Sequence, residues 1–328
     1  MRAVAIVNGN ARRVRDGVRA KLERVLPGGV RFTRSLDHAR AVIREDIDRG
    51  LDLIVLAGGD GTIVMGLALI AEACRGAGRP EPAIGLLRLG SGNAFADAVG
   101  AGDDAAADLA RLVRGEGTWR KLAMLEVLGM RAPFVGLGLD AQLLEDHHQV
   151  GKLIDRVPGA RRLGGGARYA LSVGLRSIPR FARDNRARAV VTNLGAPAIE
   201  MARGGATGRE VAAGAVMWRG PCTLIAGGTI PFFGFGLRMF PFSHVRRDRF
   251  HLRCGDGKLL EILRHVPAAF RGDYFSEHTR DFLCERIAVE LDVESPIEAG
   301  GELLASQRRV ELGLGTPVTV VALGGGPL

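Results

Sequence analysis

The chain has 328 residues, of which 47% are hydrophobic and 25% charged, and its formal net charge is +9. This composition excludes an intrinsically disordered chain and provides enough apolar residues for two domains. No apolar run reaches the ~18 residues of a membrane-spanning helix, and the first residues lack the long apolar segment of a secretory signal.

Strands and helices are predicted to alternate over the N-terminal third of the chain. The apolar runs at 51–57 and 83–89 are unbroken, which is typical of parallel strands buried on both faces. Further strands are expected at 4–7 and 30–33, with helices at 14–26, 36–49, 63–73, 94–99 and 103–114. This alternation predicts a doubly wound α/β domain.

From residue 122 onward, short apolar runs are interrupted by Gly and Pro at intervals typical of antiparallel sheets. The predicted strands lie at 123–127, 134–139, 187–192, 215–218, 222–226, 250–253 and 286–291. Helices are expected at 167–181 and 258–270, and closing strands within 310–321. We therefore predict a second, β-rich domain.

The strand at 51–57 ends in a glycine turn, Gly58, Gly59, Asp60, Gly61 and Thr62. These glycines leave no Cβ in the way of a phosphate, and the helix that Thr62 opens adds its partial positive charge. A carboxylate among phosphate-binding amides implies a divalent cation or a transferable proton, so Asp60 is a candidate catalytic residue. The alternative is that the glycines form a tight connection and that Asp60 caps the helix.

A second glycine turn, formed by Gly90, Ser91, Gly92 and Asn93, follows the strand at 83–89. Both turns lie at the carboxyl ends of predicted parallel strands, so they are expected to face one crevice and to hold a triphosphate. Neither a dinucleotide-binding G-x-G-x-x-G motif nor a Walker loop occurs in the chain.

The two turns together, Gly-Gly-Asp-Gly-Thr at 58–62 and Leu-Gly-Ser-Gly-Asn-Ala-Phe-Ala at 89–96, resemble the catalytic domain of the diacylglycerol kinase and sphingosine kinase superfamily, in its bacterial lipid kinase branch. Weaker likenesses lie at 5–8, 32–33, 134–141, 161–169 and 301–302. The resemblance implies an NAD-kinase-like α/β domain at 1–121, to which 308–328 return. It also implies a β-rich, sandwich-like lipid-substrate domain at 122–307.

The resemblance further implies a lipid kinase that uses ATP and Mg²⁺ to phosphorylate a lipid hydroxyl. Asp60 and Glu302 then share two tasks, deprotonation of the hydroxyl and binding of Mg²⁺, which Asp60 would contact through water. Residues implied to hold the nucleotide or its phosphates are Asn8, Thr33, Gly58, Gly59, Gly61, Thr62, Gly90, Ser91, Gly92, Asn93, Arg161 and Arg168. Asp140 and Glu145 are implied to face the substrate.

The chain departs from the family pattern at three places. The family's Asp-Gly-Glu motif reads Gly300, Gly301 and Glu302 here, although Glu298 is close by. The Asp-Gly pair expected before 250–252 is replaced by Arg247 and Asp248. The proline expected before the second glycine turn is replaced by Arg88. One alternative is therefore a weakly active or inactive lipid- or nucleotide-binding module. NAD kinase shares the first glycine turn but usually carries an Asn-Glu pair, which is absent here.

The acceptor lipid is left open among a sphingoid base, ceramide and diacylglycerol. The second turn is closer to the sphingosine kinase pattern Gly-Ser-Gly-Asn-Ala-Leu-Ala than to that of bacterial diacylglycerol kinases, which favours a sphingoid or ceramide-like acceptor. The sequence is compatible with a monomer or a homodimer.

The net positive charge favours polyanionic partners. Nucleic acid is disfavoured because the arginines are dispersed and Tyr and Trp number two each. The Phe-rich segment 230–242 could insert into an anionic membrane surface, with Arg238, Arg246, Arg247 and Arg249 at the headgroups. The alternative is that its rings form the core of the second domain. We expect a cytoplasmic, peripherally membrane-associated protein, in keeping with four scattered cysteines.

Overall fold

The computed structural model describes residues 1–11, 13–138, 141–142, 144–145, 186–234 and 236–324. The N-terminal elements are β1 (Ala3–Asn8), α1 (Asp16–Val25), β2 (Val30–Thr33), α2 (Leu36–Asp48), β3 (Leu53–Gly58), α3 (Asp60–Ala77), β4 (Ala83–Arg88), α4 (Ala94–Ala98) and α5 (Ala105–Val113). Strands β4, β3, β1 and β2 pair in that order, and all are parallel.

Helices cover both faces of this parallel sheet. On one face, Ile54 and Leu56 of β3 belong to a core with side chains of α2 and α3. On the other face, Val55 of β3 packs in a core with Leu22 of α1 and Leu109 of α5. Successive residues of β3 therefore enter different cores, which explains its unbroken apolar sequence. The prediction of an N-terminal α/β domain with a parallel sheet is confirmed.

The second half of the chain is β-rich, as predicted. Its elements are β5 (Thr118–Val127), β6 (Met130–Ala132), β7 (Phe134–Gly138), β8 (Arg188–Asn193), β9 (Ala198–Ala202), β10 (Gly205–Val211), β11 (Val216–Pro221), β12 (Leu224–Gly228), β13 (Phe250–Gly255), α6 (Leu259–Arg271), β14 (Thr279–Cys284), β15 (Arg286–Ser295), β16 (Ile297–Ala299), β17 (Glu302–Leu303) and β18 (Gln307–Ala322). The sequence did not predict β6, β9, β10, β14, β16 or β17.

Strand β18 links the two halves of the molecule. It pairs in antiparallel fashion with β15 and β5, and its residue Val320 pairs in parallel with Ile84 of β4. The parallel sheet therefore continues into the second half in the order β11-β8-β15-β18-β4-β3-β1-β2. A second sheet has the order β10-β9-β14-β13-β12-β7-β16-β17. A shared core, with Ile287 from the first sheet and Phe250 from the second, holds the two sheets together.

Within the described residues, no helix is long and apolar enough to cross a membrane.

A buried ionic cluster lies within the second sheet. Arg253 of β13 is directly opposite Asp281 of β14 and donates two hydrogen bonds to its carboxylate, at 2.7 and 3.1 Å. The ring nitrogen Nε2 of His251 lies 2.9 Å from the same carboxylate. Arg253 and His251 are fully buried. The guanidinium of Arg253 also lies 5.4 Å from the ring centre of Tyr274. This cation–π contact attaches the segment that follows α6 to the sheet.

We expect Asp281→Asn to lower the free energy of unfolding by about 3–5 kcal/mol, because it leaves the buried Arg253 charge without its counterion. Urea denaturation at pH 7 measures this loss. Asp37→Asn is the matched control, because Asp37 forms an exposed ion pair with Arg40 and such pairs contribute about 1 kcal/mol or less. Equal losses of unfolding free energy in Asp281→Asn and Asp37→Asn would contradict the role of Asp281 as the counterion of Arg253.

The same cluster predicts a dependence of stability on pH. Burial alone would raise the pKa of Asp281, but Arg253 and His251 outweigh it and lower this pKa to about 2. The folded-state pKa is therefore below the unfolded one, so this contribution is present above roughly pH 4. It is lost as the pH falls towards 2. As the pH is lowered from roughly 4 to 2, the thermal unfolding temperature of Asp281→Asn should fall less than that of the wild type.

Candidate active site

The first glycine turn joins the buried strand β3 to the 18-residue helix α3. Helix α3 begins at Asp60, three residues before the predicted start, with Gly59 as its N-cap. A Cβ at Gly58 would lie 2.6 Å from the side chain of Thr62, so only glycine leaves this turn undisturbed. The N-terminus of a long helix thus points out of the carboxyl edge of the sheet, where its dipole favours an anion.

The two glycine turns are in direct contact. A Cβ at Gly90 would lie 2.1 Å from the Cα of Gly59, and 3.1 Å from the carbonyl oxygen of Gly58. Because the obstructing atoms belong to the backbone, a rotamer change cannot relieve this contact. The structure therefore brings residues 58–62 and 90–93 into one crevice.

Asp60 connects the two turns. Its Oδ1 accepts a hydrogen bond from the N–H of Phe95 at 2.9 Å, and its Oδ2 accepts one from the N–H of Ala94 at 3.1 Å. Asp60 is only 7% exposed. Burial raises its pKa to about 6, although these two N–H groups act in the opposite direction. The carboxylate thus caps α4, from across the crevice, and not α3, which was the alternative considered from the sequence.

Asn93 and Ser91 have different positions within the second turn. Asn93 adopts a left-handed conformation, with φ of 54°. Its side chain bonds to both the N–H and the carbonyl of Gly90, each at 2.9 Å. Asn93 is buried and shapes the turn, whereas Ser91 and Gly92 line the large cavity described below.

Asn8 and Thr33 lie at the ends of β1 and β2, on the other side of α3's first turn. The Asn8 amide donates to the Thr62 hydroxyl at 3.0 Å, and the Thr33 hydroxyl donates to the carbonyl of Val7 at 3.3 Å. Asn8, Thr33, Thr62 and Glu302 line one cavity of about 230 Å³.

Glu302 lies on β17, beside the first glycine turn. A Cβ at Gly61 would be 2.0 Å from its Oε1, so the carboxylate packs directly on the start of α3. Glu302 and Thr62 both line the 230 Å³ cavity and a second, larger one. These two side chains therefore stand where the two cavities adjoin.

We expect Gly61→Ala to displace the Glu302 carboxylate and to lower activity on the order of tenfold or more, with little change in overall fold. Steady-state kinetics with circular dichroism as a fold control measures this. Gly17→Ala on α1, where a Cβ meets nothing within 4 Å, is the matched control. Unchanged kcat in Gly61→Ala would argue against a role for Glu302 at this position.

The missing aspartate at position 300 has a steric explanation. Gly300 has φ of +56°, and a Cβ there would lie 2.3 Å from Cγ2 of Val64. The second carboxylate of this loop comes from Glu298, which is buried, accepts a hydrogen bond from the N–H of Gly301 and lines the large cavity. Glu298 lies two residues before the Gly-Gly pair, and this position is the only signal of its role in the sequence.

The large cavity has a volume of about 540 Å³ and lies between the glycine turns and α6. Asp60, Ser91, Glu298 and Glu302 form its polar end. Most of its remaining wall is apolar and includes Phe134, Leu224, Phe233, Leu237, Met239 and Val266. The sequence did not indicate these residues, because their types are those of an ordinary core. The cavity thus combines charged side chains beside the glycine turns with a mostly apolar wall.

The Phe-rich segment forms part of this wall and of the core. Phe232 is 8% exposed and Phe240 is fully buried. The ring of Phe233 lies 5.2 Å from that of Phe134 and 5.6 Å from that of Phe240. The expectation that these rings insert into a membrane is therefore wrong for Phe232 and Phe240, and the core alternative applies.

Several predicted residues do not join the described site. Asp140, Arg161 and Arg168, like the predicted helix at 167–181, lie outside the described residues. Glu145 is half-buried in a short helical segment whose Leu144 lines the large cavity.

Comparisons with known proteins agree with the resemblance carried by the two glycine turns. Residues 2–127 match the family model of the diacylglycerol kinase catalytic domain. This match confirms the resemblance predicted from the two glycine turns for that part of the chain, and it supports a lipid kinase class of enzyme. No curated protein sequence matches the chain.

Three solved structures from Bacillus anthracis strain Sterne share the fold. One, described as a diacylglycerol kinase, is 14% identical with a TM-score of 0.61, over 98% of this chain and 96% of that chain. Two others are provisionally named diacylglycerol kinases. One is 15% identical with a TM-score of 0.66, over 98% of this chain and 96% of that chain. The other is 17% identical with a TM-score of 0.65, over 100% and 98%. The likeness in fold thus extends beyond residues 2–127 to both halves of the molecule.

Proposed function

We propose that the protein transfers the γ-phosphate of ATP to the hydroxyl group of a membrane lipid, a sphingoid base, ceramide or diacylglycerol. One observation carries this proposal: the largely apolar cavity of about 540 Å³ ends at the two touching glycine turns. Binding of an alkyl chain against such an apolar wall is favourable by roughly 25 cal/mol per Å² of apolar surface removed from water. A soluble acceptor such as NAD would gain little from it.

The nucleotide side is assigned to the glycine turns and the 230 Å³ cavity. Backbone N–H groups of residues 58–62 and the N-terminus of α3 provide positive potential for phosphates. Asn8, Thr33 and Thr62 offer amide and hydroxyl groups beyond them. We also infer an NAD-kinase-like N-terminal domain, supported by the parallel order β4-β3-β1-β2 and the shared Gly-Gly-Asp-Gly-Thr turn.

Glu302 is the better placed of the two predicted carboxylates to accept the proton of the lipid hydroxyl. Glu302 lines both the large apolar cavity and the 230 Å³ polar cavity, whereas Asp60 lines only the large one. In this assignment the hydroxyl proton passes to Glu302 as the hydroxyl oxygen bonds to phosphorus and ADP leaves. Asp60 holds the two turns in position.

The carboxylates of the site suit an Mg²⁺ ion that is held mainly by phosphate and water. The described residues include no group of three His, Cys, Asp or Glu side chains that could hold a metal ion. Mg²⁺ is typically held by one or two carboxylates, with phosphate and water as its other ligands. Glu298 could provide one such carboxylate and Asp60 another through a water molecule, since both line the large cavity. The ion would neutralise phosphate charge.

Filling the large cavity tests the acceptor assignment. Ala269 of α6 lines the cavity, and Ala269→Phe places a ring in it. We expect KM for a long-chain lipid to rise on the order of tenfold, with a smaller change for a short-chain analogue and none for ATP. Ala20→Phe, on the exposed side of α1, is the matched control. Equal KM values for wild type and Ala269→Phe with the long-chain lipid would refute this cavity as the acceptor site.

A further inference from the structure

Helix α6 has two unlike faces. The side chains of Ile262, His265, Val266 and Ala269 line the large cavity. Leu263 and Phe270, by contrast, are 49% and 48% exposed. Seven residues separate them, which is close to two helical turns, so both project from one face about 10 Å apart. Among the described helices and strands, α6 alone carries two such exposed large apolar side chains.

Basic residues surround this outer face. Lys258, Arg264 and Arg271 are exposed at the start, middle and end of α6. Arg238 is exposed beside its C-terminal end, where the N–H of Arg238 donates to the carbonyl of Ala269 at 2.9 Å.

The nearby acidic groups are engaged elsewhere. Glu261 lies 3.2 Å from His265 on the cavity side. Asp273 accepts a hydrogen bond from Arg203 at 3.1 Å. The outer face of α6 therefore combines apolar side chains with net positive charge, which is the pattern of an interfacial helix on anionic lipid.

We propose that the outer face of α6, defined by Leu263, Arg264, Phe270 and Arg271, binds the surface of an anionic lipid bilayer. This inference rests on the proposed function, because the cavity behind α6 is taken to receive the acceptor lipid. In this arrangement one face of α6 lies on the bilayer while the other lines the cavity. A lipid could then pass from the membrane to the active site with little exposure of its alkyl chains to water. Phe232 and Phe240 of the Phe-rich segment then belong to the core beside Ala269 of α6.

Co-sedimentation with vesicles tests this proposal without any measurement of activity. We expect the full chain to bind phosphatidylcholine vesicles that contain phosphatidylglycerol, and to bind phosphatidylcholine alone weakly. Leu263→Ser with Phe270→Ser should weaken binding on the order of tenfold, as should Arg264→Gln with Arg271→Gln. The matched control is Trp119→Ser with Val293→Ser, at equally exposed apolar positions on β5 and β15, which should bind as the wild type does.

Three outcomes would overturn the proposal: wild type that does not bind anionic vesicles, α6 variants that bind as wild type, or a control pair that weakens binding equally. An α6 pair that converts a lipid-free dimer to a monomer would also overturn it, because the face would then be a contact between copies of the chain. α6-dependent vesicle binding in a protein that phosphorylates no lipid would support the membrane surface and refute the proposed function separately.

Discussion

Gly90→Ala is expected to reduce the rate of phosphate transfer about 100-fold or more. The new Cβ would lie 2.1 Å from the Cα of Gly59, a distance that the structure can relieve only if the two glycine turns separate. A displacement of about 1 Å at a phosphate-binding site lowers the reaction rate by roughly this factor, because the reacting groups lose alignment. The effect should appear in kcat/KM for ATP, measured at several lipid concentrations.

Gly76→Ala is the matched control for this substitution. Gly76 lies in α3, near its C-terminal end, and a Cβ there meets nothing within 4 Å. Alanine is also the better helix former, so this variant should keep full activity and equal or higher stability. A Gly90→Ala protein with normal kcat/KM would mean that contact between the turns is not required for nucleotide binding.

Asp60→Asn is expected to lower kcat on the order of 100-fold while the protein stays folded. Asp60 receives one backbone N–H on each carboxylate oxygen. An asparagine retains one acceptor but turns its NH₂ group towards the other donor, which leaves that N–H unsatisfied at a cost of about 1–3 kcal/mol. The second glycine turn then loses its anchor.

Asp104→Asn separates this effect from the general cost of neutralising a carboxylate at a helix N-terminus. Asp104 also accepts two backbone N–H groups, those of Ala106 and Ala107 at the start of α5. Asparagine caps a helix about as well as aspartate, so this substitution should cost only the charge–dipole contribution, about 0.3–1 kcal/mol of stability, and leave kcat unchanged. If both variants lost activity equally, the anchoring role of Asp60 would be wrong.

Asp60 also predicts the pH dependence of stability. Its folded-state pKa of about 6 is above the unfolded value, so the folded protein binds this proton more tightly. The resulting stabilisation, on the order of 3 kcal/mol, is fully present below roughly pH 4 and is lost as the pH rises through 6. Asp60→Asn should lack this component, which a comparison of urea midpoints at pH 4.5 and 7, roughly spanning the window, would detect.

The sequence predicted those parts of the fold that depend on local pattern. The apolar runs of β3 and β4 and the helical spacing of α1 and α2 were sufficient. The exposed strand β10 was missed because residues such as Thr207 and Arg209 show no apolar alternation. Strand β14 was missed because Asp281 interrupts its apolar run, and its partner Arg253 lies 28 residues away.

The candidate site was predictable where it depends on glycine and not where it depends on tertiary contacts. Contact between the two turns followed from their positions after β3 and β4. The bond from Asp60 to the N–H of Phe95 did not, because any residue can provide a backbone donor. The contribution of Glu298 follows from the position of Val64, which excludes a side chain at Gly300.

The most direct test of lipid phosphorylation is label transfer from γ-labelled ATP with Mg²⁺. Diacylglycerol, sphingosine, ceramide and NAD are offered together, and the products are separated by thin-layer chromatography. The proposal predicts label in a lipid product, reduced about 100-fold in Asp60→Asn and unchanged in Asp104→Asn. Label in NAD, or no labelled lipid from a protein that binds ATP, would contradict it.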